Sequence, residues 1–149
     1  MVNLFEFAKN VGRKLFNRDD DDAKKAEKVK ESLSVLGIPG ANVTFKNGQV
    51  DISGAAMTAE QKEKAILIAG NVEGVERVNA DNLKAPAQTQ DVEYYIIQSG
   101  DTLSKIAQRY YGNASAYTQI FEANREVIQD ADKIFPGQKI RIPNPRKAA

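Results

Sequence analysis

Tyr95-Ile96-Ile97-Gln98-Ser99-Gly100-Asp101-Thr102-Leu103 compresses a strand, a turn and a helix start into nine residues. Tyr95 and Ile97 alternate with their neighbours as one face of a strand does. Gly100-Asp101-Thr102 then supplies a turn and an N-cap for a helix whose inner face is Leu103, Ile106, Ala107 and Tyr110. Downstream, Tyr111-Gly112-Asn113 turns the chain. Tyr117, Ile120 and Phe121 line a second helix that ends near Asn124. Pro136-Gly137 makes a tight turn into a last strand carrying Ile140 and Ile142. The expected unit is strand–helix–helix–strand over 92–143, followed by a Pro-rich basic tail at 144–149.

Upstream, residues 85–91 hold Pro86, Gln88, Thr89 and Gln90 with little to bury, and are expected to form a linker. Before it, residues 23–84 have the order helix–strand–strand–helix–strand. Ala26, Val29, Leu33 and Leu36 share a helical face that Gly37 and Pro39 close. Val43 and Phe45, then Val50 and Ile52, alternate on either side of Asn47-Gly48, the strongest short hairpin signal. Thr58-Ala59-Glu60-Gln61 has the form of a capping box and opens a helix through Ala65, Ile66, Ile68 and Ala69, which Gly70 closes. Val75 and Val78 mark a short final strand. At the front, residues 1–22 are expected to be a short amphipathic helix and an acidic linker. Leu4, Phe7, Ala8, Val11 and Leu15 keep helical spacing, and Asn17 to Asp22 break it. The fold class is α+β in two small domains.

Composition excludes several function classes. The chain has no His, Cys or Trp, so it lacks the commonest catalytic base, thiolate chemistry and disulfides. Basic residues number 21 and acidic ones 20, split 4 to 5, 9 to 8 and 8 to 7 over residues 1–22, 23–84 and 85–149. No segment has the basic excess of a nucleic-acid binder, so no nucleic-acid partner is expected. The longest apolar run in residues 1–16 is two residues, and nothing elsewhere has export or membrane-span character. A cytoplasmic location without stable membrane insertion is the expectation. With no Ser in a nucleophile elbow and no phosphate loop, the chain is not expected to be an enzyme.

The stretch from Tyr95 to Leu103, with Ile106-Ala107, Asn124 and Ile134-Phe135-Pro136-Gly137-Gln138-Lys139-Ile140-Arg141-Ile142-Pro143, resembles a LysM domain along its whole length. Gly48-Gln49-Val50-Asp51-Ile52-Ser53-Gly54, followed by Gly70-Asn71-Val72-Glu73-Gly74-Val75-Glu76-Arg77-Val78, resembles a BON domain. The order BON then LysM, behind a Leu4-Phe5 segment, is similar to the bacterial potassium-binding proteins of that architecture. The resemblance implies αββαβ for the first domain and βααβ for the second. It also implies that the partner is a potassium ion, bound in and around the BON domain, and that the protein could serve as a potassium sensor. LysM domains bind N-acetylglucosamine glycans between two loops, here Gly100, Asp101, Thr102, Leu103 and Ile134, Phe135, Pro136. A peptidoglycan or glycan adaptor is therefore the alternative function, and a membrane-associated BON protein a third. A downstream protein partner is left unidentified.

Potassium is large and weakly hydrated, and neutral carbonyl oxygens replace its water best. Backbone can converge where a helix ends in a glycine turn. Gly70, Val72 and Val75 in that turn are the expected carbonyl ligands, with both Gly70 and Gly74 at positive φ. Ala8 and Val11 would complete the shell if the N-terminal segment docks there. Read without the resemblance, Gly70 simply caps a helix and Gly74 turns into a strand. Asp19 to Asp22 are expected to be a solvated helix start rather than a calcium loop, since consecutive carboxylates diverge and repel. Tyr110 and Tyr117 are expected to serve the LysM core rather than stack on sugar.

Overall fold

The computed structural model describes residues 4–7, 14–36, 41–56, 58–86 and 91–145. Two compact units divide the chain, Met1–Gln88 and Thr89–Ala149.

The first unit runs β1 (Leu4–Glu6), α1 (Asp22–Leu33), β2 (Asn42–Lys46), β3 (Gln49–Ala55), α2 (Ala59–Gly70) and β4 (Arg77–Lys84). Asn47 and Gly48 have φ of 50° and 77°, the two positive values a type I′ hairpin turn requires between β2 and β3. α2 then carries the chain over the sheet, so that β4 returns parallel to β3. The sheet order is β1-β4-β3-β2. Its inner face contributes Val43, Phe45, Val50, Ile52, Val78, Ala80 and Leu83 to the core. Ala26, Val29 and Leu33 of α1 are buried with them, and α2 is buried at every position from Ala65 to Gly70.

Both helices start as their polar residues require. Asp21 caps α1 by accepting the Lys24 N–H at 2.8 Å. Asp20 accepts the Asn17 N–H at 2.8 Å and meets the Lys28 ammonium at 2.5 Å; the Lys28 contact first, then the backbone one, holds its carboxyl below the usual carboxylate range. The aspartate run is thus a helix start. Thr58 caps α2 through the Gln61 N–H at 3.0 Å, and the Gln61 amide side chain donates to the Leu36 carbonyl at 2.8 Å. Leu36 lies in a short 3₁₀ turn, Ser34–Leu36, after α1. Gly37 and Pro39 lie outside the described residues.

Two expectations need correction. Leu4–Glu6 is a strand, not helix, pairing antiparallel with Asn79, Val78 and Arg77 of β4. Helical spacing fitted these letters, but so does alternation of Phe5 with Phe7, and the open edge that β4 offers decides between them. Residues 14–17 are irregular, and Ala8, Val11 and Gly12 lie outside the described residues. The last strand is also longer than expected, eight residues from Arg77, with Ala80 and Leu83 buried. Val75 precedes it in a turn.

The second unit is β5 (Val92–Ile96), α3 (Leu103–Tyr111), α4 (Tyr117–Ala123) and β6 (Lys139–Pro143). β5 and β6 pair antiparallel with Tyr95 opposite Ile140. Ile97, Leu103, Ile106, Ala107, Ile120, Ile128, Ile140 and Ile142 make its core. Tyr110 packs on that core, edge-on to Tyr95 at 5.7 Å. Tyr117 does not: it is 37% exposed at the start of α4, while Ile120 supplies the buried position of that helix. Asn124 is 1% exposed. Its amide donates to the carbonyls of Ile120 and Arg141 at 2.8 and 2.9 Å and accepts the Arg141 N–H at 2.8 Å, tying the end of α4 to β6.

Candidate functional site

The segment from Gly70 to Glu76 joins α2 to β4. The last carbonyls of a helix have no intrahelical donor ahead of them. Here Asn71 turns the chain with φ −82° and ψ 49°, its N–H returning to the Leu67 carbonyl at 3.0 Å. Val72 and Val75 are fully buried, and the Val75 N–H donates to the Val72 carbonyl at 3.0 Å. Gly74, third residue of that turn, has φ +102°, the positive value a type II turn needs there. The Val72 carbonyl therefore has a backbone partner within the turn. A second lone pair remains on it, since a carbonyl oxygen has two.

Both ends of the segment are stitched down. The Gly48 carbonyl accepts the Glu76 and Arg77 N–H groups at 2.7 and 3.2 Å, and the Phe7 N–H donates to the Glu76 carbonyl at 2.8 Å. The two glycines are covered by rings. A Cβ on Gly70 would lie 2.1 Å from Cε1 and Cζ of Phe7, so the buried Phe7 ring occupies the place of a side chain. A Cβ on Gly74 would lie 3.5 Å from Cδ2 of Phe16. Gly70 itself is the last residue of α2 and not at positive φ; close approach of Phe7, not backbone handedness, demands glycine there.

Gly70, Val72 and Val75 thus share one turn in the structure. Ala8 and Val11 lie outside the described residues, but Phe7 and Phe16, on either side of them in the chain, both reach this turn. Phe7 and Phe16 are what sequence reasoning missed: the spacing suggested a helical face that includes Phe7, with Phe16 beyond it, and nothing local pairs a ring with a distant glycine. Among the described residues no group of three or more His, Cys, Asp or Glu could hold a metal ion.

In the second unit, the Gly137 N–H donates to the Ile97 carbonyl at 2.7 Å and the Ile97 N–H to the Gln138 carbonyl at 2.9 Å, placing the loops around 100 and 135 side by side. Pro136-Gly137 forms a type II turn, Gly137 at φ +90° and the Gln138 N–H on the Phe135 carbonyl at 3.1 Å. Several residues expected for glycan are committed to holding these loops. Asp101 accepts the Tyr95 hydroxyl at 2.5 Å and the Gln98 N–H at 2.8 Å. Burial pushes its carboxyl up, but those hydrogen bonds and Arg109 outweigh it and leave the group below its ordinary value. Burial, then the Asp101 contact, pushes the Tyr95 hydroxyl up. Thr102 caps α3 through the Lys105 N–H, and Leu103 is buried. Gly100 and Pro136 are exposed, Phe135 is 48% exposed, and Ile134 is half-buried against the core.

Residues 21–87 match the BON domain and residues 95–143 the LysM domain. The potassium binding protein Kbp of Escherichia coli O6:H1 is 39% identical over 150 residues, covering 95% of this chain and 99% of that protein. The chain belongs to the Kbp family. An uncharacterized protein of Deinococcus radiodurans is 34% identical over 116 residues, which cover 71% of this chain and 43% of that one. The uncharacterized protein YqbP of Bacillus subtilis is 34% identical over 58 residues, 33% of this chain and 26% of its own length. No described helix is long and apolar enough to cross a membrane.

Proposed function

We propose that this chain is a cytoplasmic potassium-binding protein that holds the ion through backbone carbonyls of the turn after α2, those of Gly70, Val72 and Val75. The carbonyls of Ala8 and Val11 complete the shell. The observation that carries the reading is the turn itself: a helix end and a positive-φ glycine, held at both ends, in a chain 39% identical to a protein named for binding potassium. A preorganised carbonyl set loses little ordering entropy when the ion enters. An ion that touches the turn and the N-terminal segment stabilises the state in which they are together, which is how a sensor converts concentration into conformation.

The glycan reading has less support, because Asp101, Thr102 and Leu103 already serve the LysM loop and core. A role in binding rather than catalysis fits both domain types.

Calorimetry with potassium, rubidium, sodium and calcium in turn tests the proposal. Potassium and rubidium should bind, whereas sodium, which holds its water more tightly, should give no saturable heat. Equal heat with sodium, or tighter binding of calcium, would remove the carbonyl site.

A further inference from the structure

We infer that Phe7 and Phe16 are positioning residues of the potassium turn, two rings that set where its carbonyls point. The inference rests on the potassium reading above. It starts from an asymmetry in how the turn is held. Its ends are fixed by hydrogen bonds, Asn71 to Leu67 and Glu76 to Gly48. Its two glycines have no side chains with which to fix themselves; at Gly70 the Phe7 ring fills the place of a Cβ, and at Gly74 the Phe16 ring lies at ordinary contact distance from that place.

Phe7 bridges the turn. Its ring sits on Gly70 while its N–H donates to the Glu76 carbonyl at 2.8 Å, so one residue grips both the first and last positions of the segment. Phe16 covers the middle at Gly74 and is itself held by two contacts. Its ring meets Phe45 edge-on at 5.4 Å, and the Lys25 ammonium lies 5.6 Å from its centroid and 5.0 Å from that of Phe45. Phe45 belongs to the core on β2, and Lys25 to the first turns of α1. Phe16 therefore transmits the position of α1 and β2 to Gly74.

Glycine peptides rotate more freely than any others. A ring beside the glycine restricts that freedom, closely at Gly70 and more loosely at Gly74, without adding a side chain that would crowd an ion. Carbonyls on either side of Gly70 and Gly74 are then held before the ion arrives, and the affinity should depend on the rings although no ring atom coordinates it.

The test separates positioning from mere packing by comparing the K⁺-dependent gain in thermal stability with the stability in K⁺-free buffer. Loss of packing alone lowers both melting temperatures equally. Loss of positioning also shrinks the gap between them, since ligand stabilisation follows affinity. Phe16→Ala should weaken potassium binding by about tenfold in calorimetry and shrink that gap, and Phe16→Leu should restore part of both. The chain has no Trp, so Phe16→Trp places a single tryptophan beside Gly74, excited apart from the five tyrosines at the red edge of absorption. Its emission should change saturably with potassium, at the midpoint calorimetry gives for that variant, and not with sodium. If the unaltered chain binds potassium while Phe16→Ala stays within about twofold of it and the indole emission of Phe16→Trp stays flat, the inference fails alone. If the unaltered chain gives no potassium heat, the inference and the reading beneath it fall together.

Discussion

Beyond the backbone bonds they share, the loops of the LysM unit and the turn after α2 solve one problem by different means. Each must hold irregular backbone in a fixed shape without a ladder. The LysM unit does it with side-chain amides and carboxylates that bond backbone: Asn124 to Ile120 and Arg141, Gln138 to the Val127 carbonyl at 2.9 Å, Asp101 to the Gln98 N–H. The turn after α2 uses backbone-to-backbone bonds and aromatic rings laid on glycine. The difference is chemical. In the LysM unit side-chain groups take up backbone bonding capacity, whereas a ring laid beside glycine takes up none.

The largest effect should come from breaking the first means. Asn124→Ala would strand a buried N–H and two buried carbonyls, each costing about 1–3 kcal/mol. Denaturant unfolding should show the LysM unit losing about 3–5 kcal/mol, enough to unfold a domain this small. The amide spectrum of the BON unit should keep its dispersion. A variant that unfolds both units together would show that the contrast between them is wrongly drawn.

Next is the ring-on-glycine arrangement. Gly70→Ala puts a methyl where the Phe7 ring lies, and backbone cannot yield easily at a buried helix end. Overpacking of this kind costs about 1–3 kcal/mol. Gly74→Val meets strain from the positive φ, about 1–2 kcal/mol, with Phe16 at ordinary contact distance. Both should lower potassium affinity with LysM still folded. Normal affinity in either variant would place the ion elsewhere.

That chemical difference also explains what can be read from the letters. The LysM unit is legible because capping and turn chemistry is local: Thr102 sits three residues before the N–H it caps, and Pro136-Gly137 spells its own turn. Even so, Asn124 reads only as the end of a helix, since its partner Arg141 is 17 residues away. In the BON unit the Asn47-Gly48 hairpin and Thr58 cap are equally plain. The strand at Leu4–Glu6 is not, because its partner residues Arg77 to Asn79 lie in the last strand of the unit, beyond both helices. The turn 70–76 is visible as two glycines, but its rings are not, and the letters suggest at Gly70 a positive φ that it does not have. Contact across the fold leaves no periodicity.

A smaller effect concerns acidity. The Asp101 carboxyl lies below its ordinary value when folded, so the ionised form stabilises the fold. That contribution is complete above the unfolded carboxylate pKa, about 4, and disappears as pH falls through the lower folded value. The melting temperature of the unaltered chain should therefore drop on acidification in that window. Asp101→Asn should melt lower at neutral pH and show a shallower acid decline. An identical decline in the variant would transfer the effect to other carboxylates.

The smallest effect is expected where charge is densest. Asp19 to Asp22 are four carboxylates in a row, yet the structure gives three of them separate tasks: Asp21 caps α1, Asp20 holds Lys28 and the Asn17 amide, and Asp22 opens the first turn. Asn caps a helix about as well as Asp, so replacing Asp19, Asp21 and Asp22 by Asn keeps the cap and removes only exposed charge. At 0.15 M salt the screening length is about 8 Å, and distant exposed charges add little to an ion's affinity. The triple variant should bind potassium like the unaltered chain. Asp21→Ala, which deletes the capping oxygen, should cost about 1 kcal/mol of stability and still leave affinity unchanged. Should the triple variant lose potassium binding instead, charge rather than carbonyl geometry would be attracting the ion. The contrast between backbone held by side-chain bonds and backbone held by rings would then have nothing to say about where the ion binds.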